Sequence, residues 1–596
     1  MSGRIVSLCR TALVCLALLV CAAGGESTTT DTRTAAGADT QFMSLDDVKP
    51  GMMGKARTVF SGTRPEEFDV EILGVIRNWR PGGNLILGRA SGARIEHLGI
   101  AAGMSGTPVY IDGRLVGAMA FAWPFAKEPI AGITPIQEML DVSRRTAGER
   151  SEPGIGFSPR GPDSGNAGMK EIDTPIMVAG LHPAVVGLMK GELAKYNMVV
   201  AQSGTGAQGD AGTLMAGGAL AAQLVSGDAV VSAIGTVTYV DGKDLLGFGH
   251  GLFSGGTVDV PMSSAQIHAV LPSLLNSMKL GSPSGILGTI TGDGEAGVAG
   301  VIGRMPDLIP VEVTVRAGGA PAATFRFKVI RHRLFTPSLV AWTAASSALT
   351  AAGSVGELTV RMSVSVELGG TEAERRAVQF EHLFFSVSSA APLTEFLGGV
   401  VDAIMNNEFE NTRMMGVKCE LSLVRERRVA VIDEVYVLAD EVHPGEAVTL
   451  AVKLRPYRGR AFTKHLSLRL PEGLSGESVS FKVCSAPEMR KWEQLSTSRR
   501  PVPQNLEQLL GQIESAGRGN VVECAAYVES REAAVEGETF PSVPESLSRV
   551  IRSSRRAGGM SETSIAVVSG TSWETEYVVE GCQTGSAKLR EQRVRR

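Results

Sequence analysis

The chain has 596 residues, of which 43% are hydrophobic, 20% charged and 5% aromatic, and its formal net charge is −4. This length predicts two to four globular domains. The near-neutral charge gives no basis for a nucleic-acid or membrane-surface partner attracted by overall charge. The 71 glycines indicate many short strands and turns, and therefore a mainly β fold.

The N-terminal residues have the pattern of a secretory signal. Two arginines precede an apolar run over residues 11–23, which is too short to span a bilayer comfortably. We predict a signal peptide over residues 1–23, cleaved after Ala23, and a disordered tether over residues 24–44. Lipid attachment at Cys21 is the alternative to export as a soluble protein. The predicted location is the bacterial periplasm, cell envelope or extracellular space, with no membrane span after cleavage.

Four cysteines stay in the mature chain, and all of them lie in its C-terminal part. In an exported protein they predict disulfides, and four thiols allow three pairings, which the sequence leaves open. Their wide separations resemble no zinc motif, so we expect a structural role rather than a metal site or a cysteine nucleophile. The four are Cys419, Cys484, Cys524 and Cys582.

Alternating apolar and polar residues predict strands through the first half of the mature chain, beginning at Phe68–Ile72. The pairs Asp112-Gly113 and Asp241-Gly242 stand between apolar runs, and each predicts a two-residue β-hairpin. The stretch around His268 has the spacing of an amphipathic helix. We therefore expect His268 to be structural.

The pattern changes from residue 356 onward. Alternating runs at 356–368 and 446–457 predict a β-rich, sandwich-like module with a basic tail over residues 356–596. Leu393–Phe409 and Asn505–Ile513 are predicted to be helices, the second capped by Asn505. We find no candidate catalytic group in this half.

The string Gly103-x-Ser105-Gly106-x-Pro108 carries the clearest chemistry. A serine hydroxyl becomes a nucleophile when a base takes its proton and donors hold the developing oxyanion. The N–H groups of Gly103 and Ser105 are the candidate oxyanion hole, since glycine turns its N–H inward without a Cβ penalty. An α/β-hydrolase elbow is excluded, because Thr107 replaces its second glycine and a hairpin follows instead of a helix. The trypsin-like double barrel accommodates this spacing.

His250 is the best candidate for the base among eight histidines. It lies between Gly249 and Gly251 at the end of a predicted strand. Flanking glycines let backbone or substrate approach closely, which a core histidine does not need. The other histidines lie beside charged residues, before prolines in turns, or in the predicted helix around His268.

The segments GIAAGMSGTPVYIDGRLVGAMA and GTVTYVDGKDLLGFGHGLF resemble the serine and histidine blocks of the stage IV sporulation protein B (SpoIVB) peptidase family. The family consists of exported, trypsin-like serine peptidases. The resemblance covers Gly51–Val315 and implies a mainly β, trypsin-like two-barrel peptidase domain over residues 45–355. It places the nucleophile on Ser105 and the general base on His250. The two blocks stand in the reverse of the family's order, which we interpret as a circular permutation of the barrels.

The acidic residue that completes the catalytic triad in the family has no counterpart at the matching position of this sequence. The family's acid falls near Ala90, where this chain has none. Asp293, in the histidine block, is the candidate to orient the imidazole, and Asp259 is the second candidate. Loss of the orienting acid costs ~10⁴ in rate in a trypsin-like site, so its identity bears directly on activity.

Two functions follow from these patterns. The first is limited cleavage of a protein or peptide substrate, including the chain itself, by an exported serine endopeptidase that uses no metal or cofactor. The alternative is an inactive envelope or surface protein that binds partners through the same barrels. The apolar stretch Ala118–Ala126 is interpreted as a wall of a substrate cleft or as a core strand. Self-cleavage that Ser105→Ala abolishes would separate the two functions.

Overall fold

The computed structural model describes residues 41–148, 168–204, 212–318, 321–353, 356–369, 376–387, 390–496, 503–515, 518–535, 538–540 and 561–590. The predicted signal peptide, the tether up to residue 40 and the basic end of the chain lie outside these ranges. Strands account for 53% and helices for 18%, which confirms the predicted mainly β fold. Within the described ranges, no helix combines the length and the apolar character that crossing a bilayer demands.

The first unit is a closed, six-stranded antiparallel barrel. Its ring order is β1-β2-β3-β6-β5-β4, and pairing of β4 with β1 closes it. Buried residues alternate with exposed ones along β1, as a strand with one face in a core requires. The elements are β1 (Met53–Thr58), β2 (Glu66–Arg80), β3 (Gly83–Ser91), α1 (Ala93–Leu98), β4 (Pro108–Ile111), β5 (Arg114–Ala122), β6 (Ile130–Pro135) and α2 (Ile136–Gly148).

The predicted hairpin joins β4 to β5. Asp112 has a φ of 50° and Gly113 a φ of 77°, the left-handed conformation that a two-residue turn of the hairpin type needs at both positions. The prediction from the Asp-Gly pair is therefore confirmed. This turn sets the register of β5, the strand that later borders the candidate site.

A short connecting region links the two barrels. It contains β7 (Lys170–Glu171), which pairs with the end of β5, followed by β8 (Thr174–Ala179), α3 (Pro183–Leu193) and β9 (Met198–Gln202). β8 and β9 are parallel to each other, and β8 joins the sheet of the second barrel through β11.

The second barrel repeats the topology of the first. Its ring order is β10-β11-β12-β16-β15-β13, closed by pairing of β13 with β10. Numbered from its own first strand, each barrel therefore has the order 1-2-3-6-5-4. The elements are β10 (Ala219–Gly227), β11 (Val230–Asp241), β12 (Asp244–Gly247), β13 (Gly256–Leu271), β14 (Met278–Pro283), β15 (Gly288–Gly294) and β16 (Gly297–Ile302).

His268 lies in β13, so the predicted helix at this position is wrong. Around it the burial alternates residue by residue, with Ala265 and Ile267 buried and Gln266 and His268 exposed. This period of two belongs to a strand, and pairing of β13 with β14 fixes it. His268 donates to or accepts from the Ser282 hydroxyl, a structural contact.

The sheet of the second barrel continues through β18 into further strands. Strands on both sides of residue 355 belong to it, in the order β10-β18-β17-β21-β19-β20, and they share one core. Helices α4 and α5 pack on this extension. The elements are β17 (Leu308–Ala317), β18 (Ala323–Ile330), α4 (Thr336–Ala352), β19 (Glu357–Leu368), β20 (Arg376–Val387), α5 (Ala391–Met405) and β21 (Met414–Val424).

Described residues 429–496 and 518–590 form a further unit, the sandwich. A sheet of order β25-β24-β22-β30 faces a second sheet containing β23, β31, β26, β27, β28 and β29, around a separate core. Helix α7 (Leu506–Glu514) interrupts the sandwich in sequence but packs on β20, and its Leu510 and Ile513 belong to the core shared with the second barrel. The elements of the sandwich are β22 (Val429–Val437), β23 (Glu441–Val442), β24 (Ala447–Pro456), β25 (Phe462–Arg469), β26 (Ser478–Ser485), α6 (Ala486–Ser496), β27 (Val521–Val535), β28 (Glu538–Phe540), β29 (Ser561–Glu574), β30 (Val578–Glu580) and β31 (Cys582–Leu589). A β-rich C-terminal part is thus confirmed.

The cysteines form one disulfide, between Cys484 and Cys582 on neighbouring strands β26 and β31. Cys419 and Cys524 are buried free thiols. Cys419 belongs to the core shared with the second barrel, whereas Cys524 belongs to the sandwich, so these two residues are held apart. Burial raises the pKa of each free thiol to about 12, which makes both poor nucleophiles.

Candidate active site

Ser105 and His250 occupy equivalent places in the two barrels. Ser105 lies in the connection between the third and fourth strands of the first barrel, after β3 and α1 and before β4. His250 lies between the third and fourth strands of the second barrel, after β12 and before β13. The shared topology brings the two connections into contact, although they are far apart in sequence.

Thr236 on β11 links the two loops. Its N–H donates to the Ser105 carbonyl over 2.8 Å, and its own carbonyl accepts from the Phe248 N–H over 3.2 Å. Gly106 packs against this junction with a φ of 92°, and a Cβ there would overlap the Thr236 carbonyl oxygen. The second glycine of the motif therefore lets the two barrels approach each other.

The side chain of Ser105 is fully buried, with 0% of the residue exposed. Its Oγ makes no hydrogen bond. A buried hydroxyl without a partner costs about 1–3 kcal/mol relative to a satisfied one. The hydroxyls of Thr107 and Ser232 share this property, and in Ser105 it means that the serine and His250 are not hydrogen-bonded to each other in this conformation.

His250 is also buried, with 2% of the residue exposed. Its Nδ1 lies 2.9 Å from the Gly251 carbonyl oxygen and 3.8 Å from Oε2 of Glu171. Both neighbours are acceptors, so they favour a proton on Nδ1 and leave the lone pair on Nε2, as a general base requires. The loop is held to the first barrel by Thr134, whose hydroxyl donates to the Gly249 carbonyl over 2.6 Å.

Asp293 lies at the end of β15 and is 1% exposed. Its carboxylate accepts from the N–H groups of Leu252 and Phe253, at 2.7 and 2.6 Å, and lies 3.4 Å from the N–H of Gly255. These are charge-assisted hydrogen bonds to the loop that directly follows His250. Asp293 thus fixes the backbone that presents the imidazole.

Asp259, the second candidate, belongs to another contact. Its carboxylate accepts from the N–H of Asp307 over 2.6 Å and pairs with Arg304 at 3.4 Å. Burial raises the pKa of Asp259. The residue ties β13 to the segment before β17, away from the histidine loop.

Glu171 is the carboxylate that sequence reasoning missed. It lies on β7, in the region between the barrels, and its side chain is 12% exposed. No motif surrounds it, since a two-residue strand leaves no periodic signal. Only the pairing of β7 with β5 brings its carboxylate to His250.

The candidate oxyanion hole is occupied by the chain itself. The N–H of Gly103, whose φ is 88°, donates to the carbonyl of Asp173 over 3.3 Å. Pro175, two residues further on, lies against Gly103. In this conformation the Gly103 N–H therefore has an internal carbonyl as its acceptor, at the place where the prediction puts an oxyanion.

Lys279 is the second residue that the sequence did not indicate. It is 0% exposed, and its Nζ donates to the hydroxyls of Thr58 and Thr236, over 2.6 and 3.3 Å. Thr236 in turn donates from its hydroxyl to the Gly103 carbonyl over 3.1 Å. Burial lowers the pKa of Lys279 to about 7. The amino group of Lys279 thus lies directly beneath the serine loop, where burial favours its neutral form.

Part of the stretch Ala118–Ala126 is a core strand and part of it is the wall of a cleft, so each of the two interpretations holds for some of its residues. Ala118–Phe121 is buried in the barrel, whereas the residues from Ala122 onward line a cleft. The other walls of this cleft are Leu98–Ile100, Lys170–Asp173 and Ser273–Ser277. Among the described residues, no three His, Cys, Asp or Glu side chains are grouped as a metal site would require.

Comparison of the sequence with family models, with curated proteins and with solved structures gives no match. The resemblance to the sporulation peptidases therefore depends on the two sequence blocks alone.

Proposed function

We propose that this chain is an exported serine endopeptidase that performs limited cleavage of itself or of a partner protein. The observation that carries the proposal is the buried Ser105 hydroxyl without a hydrogen bond, at the contact between two barrels of identical strand order. His250 reaches the same contact from the equivalent loop of the second barrel. The resemblance of both loops to the blocks of one peptidase family supports the same function.

The proposed reaction is acyl transfer through Ser105. Its Oγ attacks the carbonyl carbon of a peptide bond while Nε2 of His250 takes the hydroxyl proton. The N–H groups of Gly103 and Ser105 stabilise the oxyanion of the tetrahedral intermediate. The C–N bond then breaks as His250 returns the proton to the leaving amine, and a water molecule hydrolyses the acyl ester by the same steps in reverse.

Two carboxylates support the imidazole in this scheme. Asp293 holds the loop after His250 through backbone N–H groups, and Glu171 places negative charge 3.8 Å from Nδ1. A carboxylate near Nδ1 stabilises the imidazolium that forms when the proton arrives. Both are positioning or electrostatic roles, and neither residue reacts with the substrate.

The alternative function is a binding protein that keeps the fold without the chemistry. The burial of Ser105 and the occupied Gly103 N–H favour this alternative for the conformation described. The two functions differ in whether the serine is activated once a reagent reaches it.

Fluorophosphonate labelling over hours, read by mass spectrometry of the modified peptide, tests the proposal. We expect the label on Ser105 in the parent protein and its loss in Ser105→Ala and His250→Ala. Ser232→Ala is the matched control, because Ser232 is also fully buried with an Oγ that makes no hydrogen bond, yet lies within β11. A folded parent that stays unlabelled at Ser105 under all conditions would favour the binding protein.

A further inference from the structure

Residues Lys170–Asp173, which we call the covering segment, lie across the candidate active site. Lys170 pairs with Ala122 and Glu171 with Phe121 in an antiparallel ladder along the end of β5. The Ile172 N–H continues this ladder by donating to the Ala120 carbonyl over 2.8 Å. The segment is thus an added strand on the edge of the serine-bearing barrel.

The covering segment reaches both halves of the site. The Asp173 carbonyl accepts from the Gly103 N–H, and the Glu171 side chain lies 3.8 Å from His250. Ile172, between them, is 3% exposed and belongs to the core of the first barrel. The complete burial of Ser105 is consistent with this cover.

One side-chain contact anchors the covering segment to the opposite wall of the cleft: the Asn276 amide donates to the carboxylate of Asp173. Within the segment, the Lys170 ammonium contacts both oxygens of the same carboxylate, at 2.9 and 2.7 Å, and so holds Asp173 in place to receive Asn276. Asp173 is buried, so these contacts neutralise and satisfy a charge that would be costly to leave unpaired.

An extended peptide entering the cleft needs the groups that the covering segment now uses. Strand addition on a sheet edge satisfies a peptide through main-chain hydrogen bonds, and the edge at Ala120–Ala122 already carries a strand. An incoming acyl group also needs the Gly103 N–H, which already has an acceptor. The two chains therefore compete for one set of donors and acceptors.

We propose that the covering segment inhibits the candidate active site from within the same chain, and that its release from β5 is the step that admits a substrate. The inference rests on the function proposed above. We therefore expect slow fluorophosphonate labelling of Ser105 in the parent protein, because the covering segment returns to β5 faster than the reagent reaches the serine. The contact between Asn276 and Asp173, together with the pairing to β5, sets the population of the released state, and Lys170 supports it by holding the Asp173 carboxylate.

A removable cross-link gives the sharpest test. Ala122 and Lys170 are cross-strand partners, a separation that suits a disulfide, so the double substitution Ala122→Cys and Lys170→Cys can lock the covering segment. We expect oxidised protein to lose fluorophosphonate labelling at Ser105 at least 10-fold, and mild reduction to restore it. The parent protein with and without the same reductant is the control for the native disulfide. Equal labelling of locked and unlocked protein would overturn the proposal.

A loosened variant tests the opposite direction. Lys170→Ala with Asn276→Ala removes both anchors of Asp173 and leaves the serine and histidine loops intact. We expect at least 10-fold faster labelling and at least 10-fold faster hydrogen exchange at the Ile172 amide. Lys190→Ala, a lysine substitution in α3, is the control. Unchanged exchange at Ile172 in the loosened variant, or faster exchange with unchanged labelling, would contradict the inhibition.

Failure of the proposed function gives a different result from failure of the inhibition. Faster exchange at Ile172 with no label on Ser105 in any variant would mean that the covering segment is releasable but the serine is not activated. That result would contradict the peptidase function and would favour a binding protein whose β5 edge becomes available to peptides when the covering segment is released.

Discussion

The two barrels and the sandwich are both β structures with extensive apolar cores, but they differ in the polar groups that they bury. At the contact between the barrels lie the buried side chains of Thr58, Ser105, Thr236, His250, Lys279 and Asp293. In the described part of the sandwich, the buried polar side chains are Ser485 and Asn520. Burying a polar group is unfavourable unless it is paired, so a cluster of them marks the contact between the barrels, rather than the sandwich, as the candidate functional region.

Substitutions in the two regions should therefore differ in whether they affect stability alone or both stability and the reactivity of Ser105. Changes within the sandwich should alter its own unfolding and leave the label on Ser105 unaffected. Changes at the contact between the barrels should alter both the stability of the barrels and the labelling of Ser105. Four predictions test this division, and hydrogen exchange read by mass spectrometry follows the stability of the two regions separately.

The largest effect is expected for Gly106→Ala. A Cβ would overlap the Thr236 carbonyl oxygen, and the φ of 92° is unfavourable for alanine. Left-handed strain and overpacking together should destabilise the barrels by about 3–5 kcal/mol. Hydrogen exchange should accelerate throughout the barrels while the sandwich stays protected. Gly113→Ala has a similar φ but open space around it, and it should cost about 1–2 kcal/mol.

The next effect concerns the disulfide of the sandwich. Replacing Cys484 and Cys582 by alanine removes a cross-link between residues 98 positions apart. We expect the sandwich to lose about 3 kcal/mol, because the unfolded chain is no longer constrained. Labelling of Ser105 should be unchanged. A parallel loss of labelling would show instead that the barrels depend on the sandwich for their stability.

Asp293→Asn should have an intermediate effect at the barrel contact. An amide can accept through its oxygen, but its NH₂ group would face a backbone N–H of Leu252 or Phe253. Two charge-assisted hydrogen bonds are thereby weakened or lost, so we expect a destabilisation of about 2–3 kcal/mol and slower labelling of Ser105. Asp259→Asn is the control, since it also accepts from a backbone N–H but away from the histidine loop. Similar labelling in both variants would mean that Asp293 does not position the His250 loop for reaction.

The smallest effect is expected for Lys279, and it concerns how steeply the free energy of unfolding changes with pH. Burial lowers the pKa of Lys279 to about 7, from 10.5 in an exposed lysine. Between these values the unfolded chain carries a proton that the folded chain lacks, so the free energy of unfolding rises with pH. The contribution is at most about 1.4 kcal/mol per pH unit. Lys279→Met should remove this rise, as measured by urea unfolding at pH 7, 8 and 9, and an unchanged slope would mean that the lysine stays charged.

Local patterns predicted much of the fold. The Asp-Gly pairs predicted both hairpins. Asp112 and Gly113 both adopt the left-handed turn conformation, whereas in the second hairpin only Gly242 does, because Asp241 ends β11 and pairs with Asp244. Alternation predicted the strands around them, and Asn505 caps α7 as predicted. The error at His268 arose because a short run of apolar residues fits a period of 2 and a period of 3.6 equally well until a partner strand is known.

The sequence predicted only those residues of the candidate site that belong to a local motif with a recognisable spacing. Ser105, Gly103 and His250 stand among glycines whose spacing is visible in the sequence. Glu171 and Lys279 have no such signal, since β7 and β14 bring them to the site through pairings with distant strands. The occupied Gly103 N–H was equally hidden, because its acceptor is a backbone carbonyl that any residue could supply.

The serine and the histidine lie on different barrels, which are synthesised one after the other. Ser105 belongs to the part of the chain that is made first, and that would be translocated first under the proposed export, whereas His250 follows only with the second barrel. A half-emerged chain therefore carries no base for its serine, whatever conformation the first barrel has reached. Under the proposed function, hydrolytic activity would begin only after the second barrel has emerged and docked, which protects the export machinery from the protein passing through it.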